Sequence, residues 1–315
     1  MMKKSVIIAV LLVFLVMGCD QFRTSKATKT GAFIGGTKGL DVGFAKDEPP
    51  AQVLDSGQQD FFITLVITNQ GEFSIPNGGI IASLSGIARE ALGLSNLNAR
   101  SNFILDGSRK TATGTGAGGV EELQFGKATY KPDLPADFSL NLRADVCYDY
   151  ETNAVATLCL RRNVLQRETT QEVCDVNTQA PNLENSGAPM QVQNLQARGV
   201  ALNKIRVSFD VVNAGGGLVY SINTFSNFCG GNEDKKDNVL VGVTMPGSGA
   251  RISCSRLNGN AGTVRLVDNI KTITCDIDTS GLQETTFEDL LRINLKYTYR
   301  GAVTVPIQIK DAASF

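Results

Sequence analysis

Two acidic pairs, Glu121-Glu122 and Glu233-Asp234, are the residues of this chain whose types could supply acid–base chemistry. Glycosidases use two carboxylates about 5–9.5 Å apart across a cleft. Adjacent residues of a strand point to opposite faces, so neither pair forms such a site by itself. The sequence also contains no histidine, which excludes Ser-His-Asp and Cys-His catalysis. We therefore predict that the protein is not an enzyme, with a carboxylate-dependent hydrolase as a minor alternative.

Two glycine-containing stretches could in principle bind a cofactor or a metal ion. Residues 114–119 (GTGAGG) match G-x-G-x-x-G, but a dinucleotide site needs a buried strand before the motif and a helix after it. Polar SRKTAT precedes the motif and strand-like VEELQF follows it. In residues 230–238 (GGNEDKKDN), Asn232, Asp234 and Asp237 could ligate Ca²⁺, but two lysines lie among them. We therefore expect plain loops, with no cofactor and no metal.

The N-terminus has the organisation of a secretory signal peptide. Lys3 and Lys4 precede an apolar run over 6–17, which is too short for a membrane-spanning helix of about 20 residues. The run ends in VMGC, residues 16–19, which resembles the lipobox of prokaryotic lipoproteins. That resemblance implies removal of residues 1–18 and diacylation of Cys19. The alternative is an ordinary signal peptide with a chance cysteine.

A lipid on Cys19 would make the membrane one partner of this protein. Two acyl chains anchor a protein stably, whereas one chain does not. Asp20 resembles the residue that retains lipoproteins of enteric bacteria on the inner membrane. Residues 19–37, rich in Lys, Thr, Ser and Gly, are expected to form a flexible tether above the anchor. We therefore expect the protein on the outer face of the cytoplasmic membrane or in the cell envelope.

Six cysteines follow Cys19, and an even number in an exported protein indicates disulfides. Six cysteines allow 15 connectivities. In the hairpin proposed below, Cys147 and Cys159 are directly opposed, which favours a bond between them. Two weaker expectations are Cys254–Cys275, both in phase with isoleucines, and Cys174–Cys229.

The sequence contains an internal repeat in two parts. Residues 61–71 (FFITLVITNQG) align with 205–215 (IRVSFDVVNAG), and each alternates apolar and polar residues before Asn-x-Gly, as a half-buried strand leading into a turn does. Residues 138–160 align without gaps on 287–309. Each of these longer segments is predicted to form a hairpin, turning near 152–153 in the first copy and near 300–301 in the second.

Two copies of short strands separated by turn signals predict an all-β protein of two tandem antiparallel β-sandwiches. The strand that ends in Asn-x-Gly resembles the Ig-like, CARDB-type domains of archaeal and bacterial cell-surface proteins. We expect the first sandwich over 38–165, a polar linker over 166–187 and the second sandwich over 188–315. The resemblance implies a fold and a cell-surface location, and no catalytic residue.

The expected function is binding or scaffolding, through adhesion, surface-layer contact or envelope assembly. A net charge of −1 argues against nucleic acid as a partner. The absence of tryptophan removes the commonest platform for stacking a sugar. Arg161-Arg162 could contact anionic lipid or surface polymer, but two charges are few. The partner is therefore expected to be a protein or a surface polymer. The alternative is a lipoprotein that captures a solute or glycan and feeds a transporter.

Overall fold

The computed structural model describes residues 31–111, 114–166, 173–176 and 181–314. The predicted signal peptide and the lipidation site Cys19 lie outside these residues. The first copy of the repeat contains nine strands: β1 Leu40–Phe44, β2 Gln52–Leu54, β3 Asp60–Asn69, β4 Ile80–Ser85, β5 Asn98–Arg100, β6 Arg109–Thr111, β7 Gly114–Gly116, β8 Val120–Thr129 and β9 Phe138–Leu160.

The remaining strands follow in the same manner: β10 Leu183–Asn185, β11 Met190–Ala201, β12 Lys204–Asn213, β13 Leu218–Tyr220, β14 Asn238–Thr244, β15 Arg251–Cys254, β16 Ala261–Arg265, β17 Ile270–Asp278 and β18 Phe287–Lys310. Two short 3-10 turns, Glu233–Lys235 and Ala312–Ser314, are the helical elements of the described residues. None of these elements is a helix that could cross a membrane. The prediction of an all-β protein is confirmed.

The strands form a nine-stranded central sheet, two smaller sheets and a β6–β7 ribbon. The central path runs β16-β14-β18-β9-β4-β5, with β10 paired to β9, and β13 and β2 paired to β18. One smaller sheet is β1-β3-β8, and the other is β11-β12-β17-β15. Buried apolar side chains of the central sheet and both smaller sheets belong to one hydrophobic cluster. The face of the central sheet that packs on the smaller sheets is called the inner face, and the opposite face the outer face.

The central sheet is held together by the pairing of β9 with β18. These two strands run antiparallel in one unbroken register, from Leu160 opposite Phe287 to Phe138 opposite Ile309. Every even-numbered residue of β9 from Leu142 to Leu160 is buried, so the same face of the strand stays inside for its whole length. The two long aligned segments of the sequence are therefore single strands that pair with each other.

The predicted hairpin turns near 152–153 and 300–301 are wrong. Asn153 lies opposite Asn294 in the ladder, and Gly301 lies opposite Val146. A hairpin within one copy and an antiparallel pair between two similar copies both place apolar residues opposite apolar residues. The sequence pattern therefore fitted both arrangements, and the structure adopts the second.

The pairing of β9 with β18 relates the two copies by an approximate twofold axis. Asp149 and Thr298 occupy equivalent positions in the aligned copies, and they lie directly opposite each other. On either side of them, Tyr148 is opposite Tyr299 and Tyr150 is opposite Tyr297. The axis therefore passes near the Asp149–Thr298 pair.

The two copies are not separate sandwiches as the sequence suggested. Each has its own smaller sheet, but both contribute strands to the central one, and residues Ala32–Phe315 form one compact unit. The segment 166–187, expected to be a linker, is bound to the first copy where it is described: Leu183–Asn185 pair with β9, and Cys174 is bonded to Cys159. The physical reason is that the backbone N–H and C=O groups of β9 pair with those of β18, so the two copies share one sheet.

Three disulfides join the six cysteines that the structure describes, and two of the expected pairings are corrected. Cys254 is bonded to Cys275, as expected. The expected Cys147–Cys159 and Cys174–Cys229 bonds are wrong. Cys147 is bonded to Cys229, with 5.6 Å between the two Cα atoms, and Cys159 is bonded to Cys174. Cys147 and Cys159 lie along one continuous strand, so they cannot oppose each other. Three disulfides are typical of an extracytoplasmic protein.

Candidate functional site

Four tyrosines on the inner face mark the junction between the two copies. The ring centroids of Tyr148 and Tyr150 are 5.5 Å apart, and those of Tyr297 and Tyr299 are 6.3 Å apart. Between the copies, Tyr148 contacts Tyr299 at 5.9 Å and Tyr150 contacts Tyr297 at 6.4 Å. All four are at most 4% exposed. These edge-to-face and tilted contacts stabilise the junction beyond the burial of apolar area.

In each copy, one tyrosine hydroxyl accepts a hydrogen bond from the first residue of an edge strand of the smaller sheet. Tyr148 Oη accepts a hydrogen bond from the backbone N–H of Leu40 at 3.1 Å. In the second copy, Tyr297 Oη accepts from the N–H of Met190 at 3.4 Å and shares a bond of 3.0 Å with Thr152 Oγ1. The repeat therefore places equivalent tyrosines on equivalent strands, β1 and β11.

The other two hydroxyls explain the Asn-x-Gly motif. Tyr150 Oη donates to Asn69 Oδ1 at 3.0 Å, and Tyr299 Oη donates to Asn213 Oδ1 at 3.2 Å. The glycine two residues after each asparagine leaves room for the tyrosine, because a Cβ on Gly71 would lie 2.1 Å from Tyr150 Oη. The motif thus ends a strand and also receives a tyrosine from the central sheet.

Burial raises the pKa of each of these tyrosines. Hydrogen bonds only partly oppose this effect of burial on the pKa: Tyr148 receives one from the Leu40 backbone, and Tyr297 is bonded to the Thr152 side chain and the Met190 backbone. The tyrosines therefore stay neutral across physiological pH. They are structural groups of the junction.

The outer face at the junction carries charged and polar residues from both copies. Asp145 of β9 is only 6% exposed and binds Arg143 at 2.8 Å and Arg300 of β18 at 3.1 Å. Burial alone would raise the pKa of Asp145, but the hydrogen bond from Arg143 and the nearby charge of Arg300 outweigh it and lower the pKa. Glu151 pairs with Lys296 at 3.4 Å farther along the ladder. The outer face therefore joins the copies by ion pairs.

A cavity of about 370 Å³ opens on the outer face at the twofold axis. The paired strands contribute Asp149 and Thr298 to its lining. The first copy adds residues 76–79 and Arg100, and the second copy adds part of the loop 221–229. We call this the junction cavity. Its volume lies within the range of about 300–1,000 Å³ that ligand pockets occupy, and such pockets form preferentially where two units meet.

Hydrogen bonds and one disulfide fix the walls of the junction cavity. Asp149 Oδ1 accepts from Thr298 Oγ1 and from the backbone N–H of Asn223. An Arg100 amine donates to the carbonyl of Ser226. The Cys147–Cys229 bond fastens the loop 221–229 to β9. The cavity is therefore held in shape by contacts between the copies.

The last residues of the expected tether are bound to the folded unit. The Glu72 carboxylate accepts hydrogen bonds at 3.0 Å from the N–H groups of both Ile34 and Gly35. Ala188 N–H donates to the carbonyl of Gly36 at 3.2 Å. The flexible tether expected over 19–37 therefore does not extend to residue 37. A second cavity, of about 390 Å³, lies beside this segment and is lined in part by Phe33 and Glu72.

The acidic pairs singled out in the sequence do not form a carboxylate site. Glu121 and Glu122 are both exposed on β8. Glu233 and Asp234 lie in a 3-10 turn, where Lys236 is 3.8 Å from Glu233 and Lys235 is 4.0 Å from Asp234. In the described part of the chain, no group of three or more histidine, cysteine or acidic residues could hold a metal ion.

The other two candidate motifs are structural. Gly114–Gly116 form β7, which pairs with β6 in a ribbon, and the next regular element is another strand. Arg161 is 4% exposed and donates to the carbonyl of Val164 at 3.4 Å. Arg162 donates to the carbonyl of Leu282 at 2.7 Å. Arg161 is therefore buried, whereas the exposed guanidinium of Arg162 is paired with Glu284 at 3.4 Å.

Sequence reasoning missed the residues of the junction cavity. One signal pointed to them: the aligned motifs Tyr148-Asp149-Tyr150 and Tyr297-Thr298-Tyr299 place a polar residue between two tyrosines that share one face. Period-2 alternation requires Asp149 and Thr298 to point away from the tyrosines. That these two residues meet follows only from the pairing of β9 with β18.

No protein-family model matches the chain, and no curated protein matches it. Among solved structures, it is similar to a partial N-terminal region of an enterococcal surface protein, with 9% identity, a TM-score of 0.16 and coverage of 84% of this chain and 86% of that one. A mutant of the CFA/I adhesin CfaE of enterotoxigenic E. coli gives 10% identity, a TM-score of 0.11 and coverage of 88% and 84%. Similarity this low supports no argument about fold or function.

Proposed function

We propose that this protein is a non-catalytic binding protein held at the outer face of the cytoplasmic membrane or in the cell envelope by a lipid on Cys19. Its folded unit presents a rigid outer face to a protein or surface polymer. The roles that fit are adhesion, surface-layer contact and scaffolding of an envelope assembly.

The observation that supports this proposal best is the shared central sheet. Both copies contribute to it, and the Cys147–Cys229 disulfide and the Asp145–Arg300 ion pair join them across the outer face. Loops on a rigid scaffold are where binding residues are usually found. A preformed surface also loses less conformational entropy on binding, so more of its contact energy appears as affinity.

A pull-down from the native envelope tests this proposal. The lipidated protein should sediment with membranes and recover one partner reproducibly. The Cys19→Ser variant should accumulate as unprocessed precursor or appear in the soluble fraction, with the same three disulfides. Processing and membrane association of the Cys19→Ser variant equal to those of the natural protein would contradict the anchor.

The second candidate is a lipoprotein that captures a solute or glycan for a transporter. The junction cavity favours it, because it lies where the two copies meet and is lined by both. Protein purified from its native envelope and then denatured should release a bound small molecule detectable by mass spectrometry. Dependence of uptake of that molecule on the gene would favour this candidate over scaffolding.

A further inference from the structure

We propose that the junction cavity binds one neutral sugar residue of a glycan. This inference rests on the proposed binding function and specifies the chemistry of the partner. It is based on the charge balance of the lining, on its unused hydrogen-bonding groups and on one aromatic side chain.

The charges that line the cavity favour a neutral ligand over a simple ion. Arg100 and Asp149 both contribute to it. An anion would be attracted by Arg100 but would lie in the same small space as the Asp149 carboxylate. A cation would meet the reverse arrangement. A ligand without net charge can use both groups, because hydroxyls donate to a carboxylate and accept from a guanidinium.

The lining has hydrogen-bonding capacity that the protein itself does not use. Asp149 Oδ1 accepts from Thr298 and Asn223, whereas Oδ2 has no hydrogen-bond partner among the described residues. In the same part of the chain, the side-chain amides of Asn77 and Asn223 make no hydrogen bonds. These groups offer both donors and acceptors, which is the combination that a sugar bearing several hydroxyls requires.

Phe225 supplies an aromatic surface beside the polar groups of the site. Phe225 lines the cavity, and its ring packs edge-on against buried Tyr220, with centroids 4.9 Å apart at 74°. The ring is therefore held in position before a ligand arrives. A fixed aromatic surface next to a few polar groups matches the C–H face and the hydroxyl rim of a pyranose.

A peptide fits this site less well than a sugar. Peptides that bind sheets usually add a strand to an open edge, where main-chain groups are unpaired. The cavity lies instead over β9 and β18, which are paired with each other at Asp149 and Thr298. Its recognition groups are side chains on the face of the sheet.

The test uses the full-length exported protein in a detergent without a sugar headgroup. Glucose, galactose, mannose and N-acetylglucosamine are titrated separately, and saturation-transfer NMR identifies the binder. We expect at least one sugar to bind, and Asp149→Asn and Phe225→Leu each to weaken its affinity at least tenfold. Asp149→Asn keeps the Oδ1 acceptor for Thr298, so it preserves that hydrogen bond of the cavity wall. It replaces only Oδ2, the oxygen offered to the ligand.

Phe228→Ala is the matched control, because Phe228 is in the same loop, is 54% exposed and does not line the cavity. It should leave the affinity unchanged. All three variants should keep the melting temperature of the parent within a few degrees.

Three results would overturn the inference: no binding of any of the four sugars, equal affinity for the parent and for Asp149→Asn and Phe225→Leu, or binding of inorganic phosphate or a tripeptide in place of a sugar. If one of these occurs while the envelope pull-down still recovers a partner, the sugar site fails and the proposed binding function stands.

Discussion

Replacing Gly71 with alanine adds a single Cβ atom, which should disrupt the junction between the copies. The added Cβ would lie 2.1 Å from Tyr150 Oη, 2.4 Å from the carbonyl oxygen of Gly187 and 2.8 Å from that of Lys38. Two of these atoms are backbone, and the third is the tip of a buried ring. Tyr150 Oη is bonded to Asn69 and the Gly187 carbonyl accepts from Glu72 N–H, so neither can move away without losing a hydrogen bond.

The expected loss of stability follows from two contributions. Overpacking a filled site costs about 1–3 kcal/mol, and losing the Tyr150–Asn69 hydrogen bond costs about 1 kcal/mol more. Gly71→Ala should therefore lower the free energy of unfolding by about 2–4 kcal/mol. For a folded unit of this size, the melting temperature should fall by about 3–7 °C.

Two further variants make the measurement specific. Gly43→Ala is the control, because no atom lies within 4 Å of its Cβ position in β1; its stability should change by no more than about 0.5 kcal/mol. Gly215→Ala, the equivalent of Gly71→Ala in the second copy, would place a Cβ 2.5 Å from Tyr299 Oη and should lose a comparable amount. Urea unfolding followed by circular dichroism gives all three values. A Gly71→Ala variant as stable as its parent would refute the proposed packing of the junction.

The remaining predictions concern pH and the independence of the copies. The folded pKa of Asp145 lies below its unfolded value of about 3.9, so the stability that Asp145 contributes is present above that pH and is lost as pH falls through the folded pKa. Asp145→Asn should lower the free energy of unfolding by about 2–3 kcal/mol at pH 7, measured by urea unfolding. The variant should also lose less stability than the parent as the pH falls below 4. The four junction tyrosines have raised pKa values, so the stability that they contribute is fully present below about pH 10 and is lost as the pH rises further. Their titration, followed by ultraviolet absorbance, should therefore coincide with unfolding. Four tyrosines that titrate near pH 10 in the folded protein would show that they are exposed. Residues 32–187 and 188–315, expressed separately under oxidising conditions, should each fail to show a cooperative transition and should regain one when mixed, because each half alone leaves a long strand unpaired. Two independently folding halves would contradict the shared sheet.

Much of the secondary structure could be predicted from the sequence. Period-2 alternation identified β3 and β12, and it placed strands over 138–160 and 287–309. Such alternation reports only which face of a strand is buried. It carries no information about which strand lies next to it, so it predicts a hairpin within each copy as readily as the pairing of β9 with β18.

The disulfide and hydrogen-bond partners of individual residues could not be predicted from the sequence for a related reason. Cys229, which bonds Cys147, comes from a loop 82 residues away whose path depends on the whole sheet. Asn69 was recognised as the end of a strand, but its bond to Tyr150 requires the smaller sheet to pack on the central one. The junction cavity was missed because its lining joins segments from both copies.

Tryptic mapping without reduction tests the shared sheet most directly. Cleavage at arginine and lysine leaves Cys147 and Cys159 together in peptide 144–161, Cys174 in 168–198 and Cys229 in 207–235. Because the central sheet brings the loop of the second copy onto β9, peptide 144–161 should be linked to both of the others. Peptide 144–161 closed on itself, with 168–198 linked to 207–235, would mean that the first copy forms its own hairpin and that the two copies do not share a sheet.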